Sequence, residues 1–175
     1  MDFSLIFITV VIFVTPHVSG KAIADVGCPP SFQRRDKQCY MLMGLQATWP
    51  EAKLYCQVIG GDLAQITNGN LQTIIADLVS KNHGMTNNER YWVDGSDMLQ
   101  SRVWRWMKTN GNSVPFVYTN WHPGEPSSKN ENCVEVRYAW NSEWNDQDCL
   151  SRLSFICQAR ATNGDEMKFN EEMDR

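Results

Sequence analysis

The sequence predicts a disulfide-braced α+β domain, with two amphipathic helices followed by short antiparallel strands and one long polar loop. Three observations carry that expectation. Two stretches between Thr48 and Gly84 hold apolar residues in helical rhythm. After residue 88 the texture changes to short β-like runs broken by turn residues. Six cysteines, an even set, lie between Cys28 and Cys157.

The first helix opens at Thr48-Trp49-Pro50-Glu51, a capping box in which Thr48 caps, Glu51 reaches back and Pro50 is tolerated in the first turn. Ala52, Tyr55, Cys56 and Ile59 then fall on one face, and Gly60-Gly61 ends the element. Leu71, Ile74, Ile75, Leu78 and Val79 follow the i, i+3, i+4, i+7, i+8 rhythm of a second helix, with Asn68 or Asn70 as cap and His83-Gly84 as stop. The strand candidates are Tyr91-Trp92-Val93, Val103-Trp104-Arg105-Trp106, Cys133-Val134-Glu135-Val136 and Phe155-Ile156-Cys157. Lys108 to Asn132 is a long Asn-, Gly-, Pro- and Ser-rich stretch. Its Phe116, Tyr118 and Trp121 argue for an ordered loop, and loops of that length are usually functional. Trp92, Trp104, Trp106 and Trp121 read as core residues.

The 175 residues suit one domain, and seven tryptophans beside the other aromatics argue against disorder. Sixteen Lys and Arg against twenty Asp and Glu give a net charge of −4. No basic surplus exists to neutralise phosphates, so nucleic acid is not an expected partner. Phe3 to Val14 is an apolar run ended by Pro16, too short for a membrane span of about 20 residues. It reads as the core of a signal peptide, residues 1–20, with cleavage after Gly20 or as late as Ala24, although its start offers Asp2 and no Lys or Arg. The mature chain is expected to be secreted, extracellular and not membrane-spanning, with a domain over residues 25–160 and an acidic, flexible tail over 161–175. In an oxidising route the six cysteines predict three disulfides. There is no CxxC, and His83 and His122 are the only histidines left after signal removal, which disfavours zinc. Six cysteines allow fifteen pairings, and spacing does not choose among them.

The chemistry sits in and just after the long loop. Glu125-Pro126-Ser127, then Glu131, then Asn145-Asp146 offer carboxylate, hydroxyl and amide oxygens, the hard ligands that Ca2+ takes in sets of six to eight. A cis peptide before Pro126 would let both flanking side chains face one ion. Any polar loop is rich in such residues, so composition alone does not separate a site from a solvated loop.

Their order does. Cys28…Cys39-Tyr40, the two helices, Tyr91-Trp92-Val93-Asp94-Gly95, Trp104-x-Trp106 and Thr119-Asn120-Trp121 are followed by Glu125-Pro126-Ser127, Glu131-Asn132-Cys133, Trp144-Asn145-Asp146, Cys149 and Phe155-Ile156-Cys157. This series resembles the C-type lectin-like domain, as in the secreted single-domain lectins of invertebrates, over roughly Cys28 to Gln158. The resemblance implies the C-type lectin-like fold and the pairing Cys28–Cys39, Cys56–Cys157 and Cys133–Cys149. It also implies a calcium site on Glu125, Ser127, Glu131, Asn145 and Asp146, where the ion binds vicinal sugar hydroxyls while carboxylates accept from them and amides donate to them. Ser127 stands where relatives carry Asn or Asp. Retained Glu125 tilts the expectation toward mannose-type sugars. Of a second, auxiliary calcium site only Asp97 and Asn132 remain, with Ser101 and Ser128 where acids are expected, so Asp97 reads as a turn residue. His122 reads as an exposed loop histidine.

By resemblance, the expected function is calcium-dependent recognition of microbial surface glycans in innate immunity, with a homo-oligomer as the source of multivalency. Two rivals stand beside it. A glycosidase could use paired Glu residues, but calcium ligation already accounts for each acid, so no catalysis is expected. A calcium-independent domain of the same fold could bind protein, lipid or another non-sugar ligand.

Overall fold

The structure is a computed structural model that describes residues 27–84, 89–109 and 111–162. The expected signal segment and the tail from residue 163 onward lie outside the described residues.

In chain order the elements are β1 (Gln33–Arg35), β2 (Gln38–Ala47), α1 (Trp49–Val58), β3 (Asp62–Leu63), α2 (Gly69–Asn82), β4 (Arg90–Ser96), β5 (Arg105–Met107), β6 (Ser113–Pro115), β7 (Cys133–Arg137), a 3-10 turn (Tyr138–Trp140), β8 (Glu143–Gln147) and β9 (Leu153–Arg160). Helix α1 begins as its sequence dictates. Thr48 Oγ1 accepts from the Glu51 N–H, and Glu51 Oε2 accepts from the Thr48 N–H at 2.9 Å. Trp49, Ala52 and Cys56 form its buried stripe. Tyr55 does not join them and is 42% exposed. It lies roughly 90° round the helix from that stripe, so it packs edge-on to Phe155 from the flank. Asn68, and not Asn70, caps α2, with Oδ1 accepting from Leu71 N–H. Ile75, Leu78 and Val79 are buried, and His83 with Gly84 at φ +82° ends the helix.

The strands form one nine-stranded sheet, not separate antiparallel ones. The N-terminal hairpin β1–β2 pairs through β2 with β9 in antiparallel fashion, and β9 runs parallel to β4 at Tyr91–Ser154 and Trp92–Phe155. Strands β5 and β7 both pair with β4, and β7–β8 is a hairpin. Side chains alternate across β4 and β9 with period two. Trp92, Phe155 and Cys157 pack with Trp49, Ala52 and Cys56 of α1. Tyr91, Val93 and Ile156 pack with Ile75, Leu78 and Val79 of α2 and with Trp106, Val134 and Trp144. Gly95 is required where it stands, because a Cβ there would collide with Val134 and Phe116. Strand β5 starts at Arg105, two residues later than the sequence predicts, because a turn with Arg102 at φ +64° and a Val103 N–H to Gln100 carbonyl bond occupies the preceding residues.

The disulfides are Cys28–Cys39, Cys56–Cys157 and Cys133–Cys149, as the resemblance implied. Cys56–Cys157 closes 101 residues and ties α1 to the last strand. In a chain-entropy estimate that closure contributes about 4–5 kcal/mol, and each shorter loop nearer 3 kcal/mol.

One ionic group lies under α1. Lys53 Nζ bonds Asp62 at 2.7 Å, Asp94 at 2.6 Å and the Met107 carbonyl. Asp94 is inaccessible to water, and burial pushes its carboxyl up to about 7 even though Lys53 pulls the other way. The folded state therefore holds this proton more tightly than the unfolded chain, and stability contributed here falls as pH rises from about 4 to about 7. Replacing Lys53 with Met should destabilise the protein, because Asp62 and Asp94 lose their shared cation and Asp94, freed of its pull, is forced to hold a proton at pH 7. Denaturant unfolding checks this, and the loss should grow above pH 7, where Asp94 ionises beside Lys53 but stays protonated without it.

Candidate functional site

The long loop is docked on β8 at Trp144 first. Trp144 N–H donates to the Asn120 carbonyl and the Trp144 carbonyl accepts from His122 N–H, each at 2.9 Å. Its ring, fully buried, meets Trp106, Phe116, Tyr118 and Trp121 edge-on with centroids 5.6–5.9 Å apart, and its Nε1 donates to Gln72 Oε1 on α2. Phe116, Tyr118 and Trp121 thereby hold the loop in order, as their presence in a polar stretch predicted. Trp92 and Trp106 are buried, whereas Trp104 and Trp121 are half-buried at the core margin.

Docking at Asn120 and His122 carries the following residues to Asn145 and Asp146. The Glu125–Pro126 peptide is cis. Asp146 Oδ1 accepts from the Ser127 N–H at 3.0 Å and Oδ2 from the Ser128 N–H at 3.1 Å. Each oxygen of that carboxylate keeps further lone pairs. Glu125 Oε2 is buried and has no hydrogen-bond partner among the described residues. Its close neighbour is the Asp146 carboxyl, and two acceptors can be joined only by a shared proton or a cation. Burial first, and after it the carboxyl–carboxyl hydrogen bond with Glu125 and the Glu125 charge, raise the Asp146 carboxyl above the ordinary range, against the two backbone N–H bonds. Glu131 is raised too, by burial and then by the charges of Asp146, Glu125 and Glu135, with Arg137 opposing. Glu125, Glu131 and Asp146 are thus brought together as mutually repelling acids, with the exposed Ser127 beside them.

Asn145 is buried on β8, opposite Glu135 of β7. Its Nδ2 donates to Glu135 Oε1 at 2.9 Å and also to the Asp146 carbonyl. The amide hydrogens that the resemblance assigns to sugar hydroxyls therefore point inward, and Oδ1 is the atom left for the site. Glu135 itself is fully buried and also binds Arg90 and Arg137. Sequence reasoning placed it on a strand and gave it no role. The available signal was a lone acid in an apolar run with Arg137 two residues on, hence on the same face of the strand.

His122 is not an exposed loop residue. It is half-buried, with Nδ1 2.7 Å from Glu143 and its ring stacked on Trp140 at 4.1 Å, while Arg137 lies 4.0 Å from the Trp140 ring centroid. Trp140 is thereby engaged by protein on two counts. Asp97 anchors a turn, with Oδ2 accepting from the Arg102 N–H and Oδ1 from Asn132 Nδ2, both at 2.7 Å.

Whether the site suits calcium is a question of donors. The orphaned Glu125 oxygen, the two raised acids, the Asn145 carbonyl oxygen and the Ser127 hydroxyl are all hard oxygens, and they fit a calcium ion. Among the described residues no group of three or more His, Cys, Asp or Glu side chains is placed to hold a metal ion, so Glu125, Glu131 and Asp146 stand within electrostatic reach of one another without converging as a ready-made cluster.

The family model for the lectin C-type domain matches residues 45–159. The chain belongs to the C-type lectin domain family. It is 32% identical over 152 residues to a perlucin-like protein of Mytilus galloprovincialis, covering 86% of this chain and 94% of that one. It is also 32% identical over 142 residues to the C-type lectin lectoxin-Lio1 of Erythrolamprus poecilogyrus, covering 78% and 83%. Among solved structures, human lithostathine superposes with a TM-score of 0.67 at 28% identity, covering 78% of this chain and 93% of that one. The cow CD23 recognition domain, solved in the presence of an oligosaccharide, gives 0.64 at 27% identity, covering 77% and 97%. A calcium-independent type II antifreeze protein gives 0.65 at 26% identity, covering 77% and 95%.

Repulsion among the three acids carries its own prediction. In metal-free buffer, Glu131→Gln should raise the melting temperature, at about 2–4 °C per kcal/mol of relief in a chain of this size. A calorimetric scan with chelator present measures it.

Proposed function

We propose that this C-type lectin domain is a secreted, calcium-dependent, carbohydrate-binding protein without catalytic activity, with the ion held by Glu125, Ser127, Glu131, Asn145 Oδ1 and Asp146. The observation that carries the reading is the pair of facing acceptors, Asp146 and the buried, partnerless Glu125 oxygen, for which a cation is the natural complement. Bound calcium supplies a Lewis-acidic contact for two vicinal sugar hydroxyls. The chain's own residues then do the orienting: Glu125 and Glu131 accept hydrogen bonds from those hydroxyls, and Ser127 Oγ donates or accepts at the rim. Mannose-type sugars are the favoured class because Glu125 is retained. Microbial surface glycans and a role in innate immunity are part of the proposal, as are homo-oligomers, since linked sites raise the effective concentration of a weak binder. Secretion is supported by the apolar leader in the sequence and by the three disulfides.

A second reading is a calcium-independent domain that binds protein, lipid or another non-sugar ligand. Ser127 in place of an amide or acid favours it, together with the inward-turned Asn145 amide and the structural likeness to the calcium-independent antifreeze protein. A glycan array run with calcium and again with EDTA separates the two. The first reading expects sugar binding that chelation abolishes; binding that survives EDTA, or an array with no glycan bound, supports the second.

Two finer outcomes follow from the donor set. Ser127→Asn should tighten calcium binding in calorimetry, because an amide oxygen is a longer-reaching ligand than the serine hydroxyl; unchanged or weaker affinity contradicts this. Calcium affinity should fall on acidification, beginning at a higher pH than an ordinary carboxylate would give. Glu131 and Asp146 are both raised, so protons compete with the ion earlier. Titrations at pH 7 and pH 5 check the direction.

A further inference from the structure

Glu135 stands behind the site and not in it. Its carboxylate lies on β7 out of contact with water and accepts from Arg90 Nε at 2.8 Å and Nη2 at 3.0 Å, from Arg137 Nε at 2.7 Å and from Asn145 Nδ2 at 2.9 Å. The other acceptor for Asn145 Nδ2 is the backbone carbonyl of Asp146. Both partners can only accept, so chemistry alone fixes which end of the amide faces inward. Turned over, Asn145 would set Oδ1 against two acceptors and aim its NH2 hydrogens at the cation position. Both changes are unfavourable.

We propose that Glu135, braced by Arg90 and Arg137, is a positioning residue that locks the Asn145 amide so that only its oxygen serves the cation. The inference rests on the calcium reading above and deepens it. The two arginines matter because a fully buried carboxylate needs paired charge and several donors to stay ionised and fixed. The register of the β7–β8 hairpin, which places Glu135 opposite Asn145, delivers that carboxylate to the amide. A consequence concerns ligand choice. With both amide hydrogens bonded inward, Asn145 has none for a sugar, so ligand hydroxyls meet acceptors, and the Ser127 hydroxyl is the donor the proposed ligand set offers them. Polyols that donate from two adjacent hydroxyls suit such a rim.

A double-substitution cycle read by calcium calorimetry tests the assignment. Glu135→Gln should weaken calcium binding about 10–100-fold, the usual effect of losing a residue that orients a ligand. Asn145→Asp should weaken it in the native background, where two carboxylates would face each other across the hairpin. In the Glu135→Gln background the same change should strengthen binding, because the new amide can donate to the new carboxylate. Calcium binding unaltered by Glu135→Gln, or an Asn145→Asp effect equal in both backgrounds to within about 2-fold, overturns the proposal. A native protein that takes up no calcium overturns the calcium reading and this inference with it, and is distinct from either result. If Glu135→Gln does not fold, the native protein still decides. Its Asn145 side-chain amide should show slow hydrogen exchange by NMR without calcium, and exchange as fast as an exposed asparagine contradicts the lock.

Discussion

Trp144 is the residue on which the site's geometry depends. Its backbone holds Asn120 and His122, and its ring fills the space between Trp106, Phe116, Tyr118 and Trp121. Among its described residues the loop from Lys108 to Asn132 has one short strand of its own, β6, paired to β5. Without the Trp144 contacts its polar second half would lie against β8 only through polar bonds, those of Ser127 and Ser128 N–H to Asp146 and of His122 to Glu143. With them, Glu125 and Ser127 arrive beside Asn145 and Asp146, which directly follow Trp144 in sequence. A hydrophobic anchor thus positions a set of charges that would otherwise separate.

Those charges are held together against their own repulsion. Two backbone N–H groups on Asp146 stabilise its ionised form, yet burial and Glu125 outweigh them. Folding brings Glu125, Glu131 and Asp146 together because the covalent and apolar framework is stronger than the repulsion. The Cys133–Cys149 bridge closes the β7–β8 hairpin, and Val134, Val136 and Trp144 bury its inner face. Glu135 adds a second ionic layer, in which a negative charge is satisfied by two arginines and one amide. The contrast between the two layers is informative. Glu135 has donors in abundance, whereas Glu125 Oε2 has none, and the second arrangement is completed by a shared proton or a cation.

Much of this was legible in the sequence, for physical reasons. Caps such as Thr48 and Asn68 are local, so the helices could be placed from a few residues. The three disulfide pairs came from a resemblance in the order of motifs, which periodicity could not supply, and the proposed loop ligands rest on that same resemblance. What was not legible depends on partners distant in sequence. Strand β2 is ten residues long and was missed, because it contains Gly44 and is partly buried on both faces, so it lacks clean alternation. The inward turn of the Asn145 amide depends on Glu135 ten residues away, and the Lys53 group on Asp94 across 41 residues. His122 read as a loop residue because Glu143 and Trp140, which cover it, are separated from it by about twenty residues of chain.

The central claim is that Glu125, Ser127, Glu131, Asn145 and Asp146 form one calcium site whose amide is oriented from behind. A crystal structure grown with calcium measures this most directly. The account predicts one ion touching carboxylate oxygens of Glu125, Glu131 and Asp146, the Ser127 hydroxyl and Asn145 Oδ1, with Asn145 Nδ2 still on Glu135. No ion at that position under saturating calcium, or an Asn145 amide released from Glu135 when the ion is bound, would contradict it.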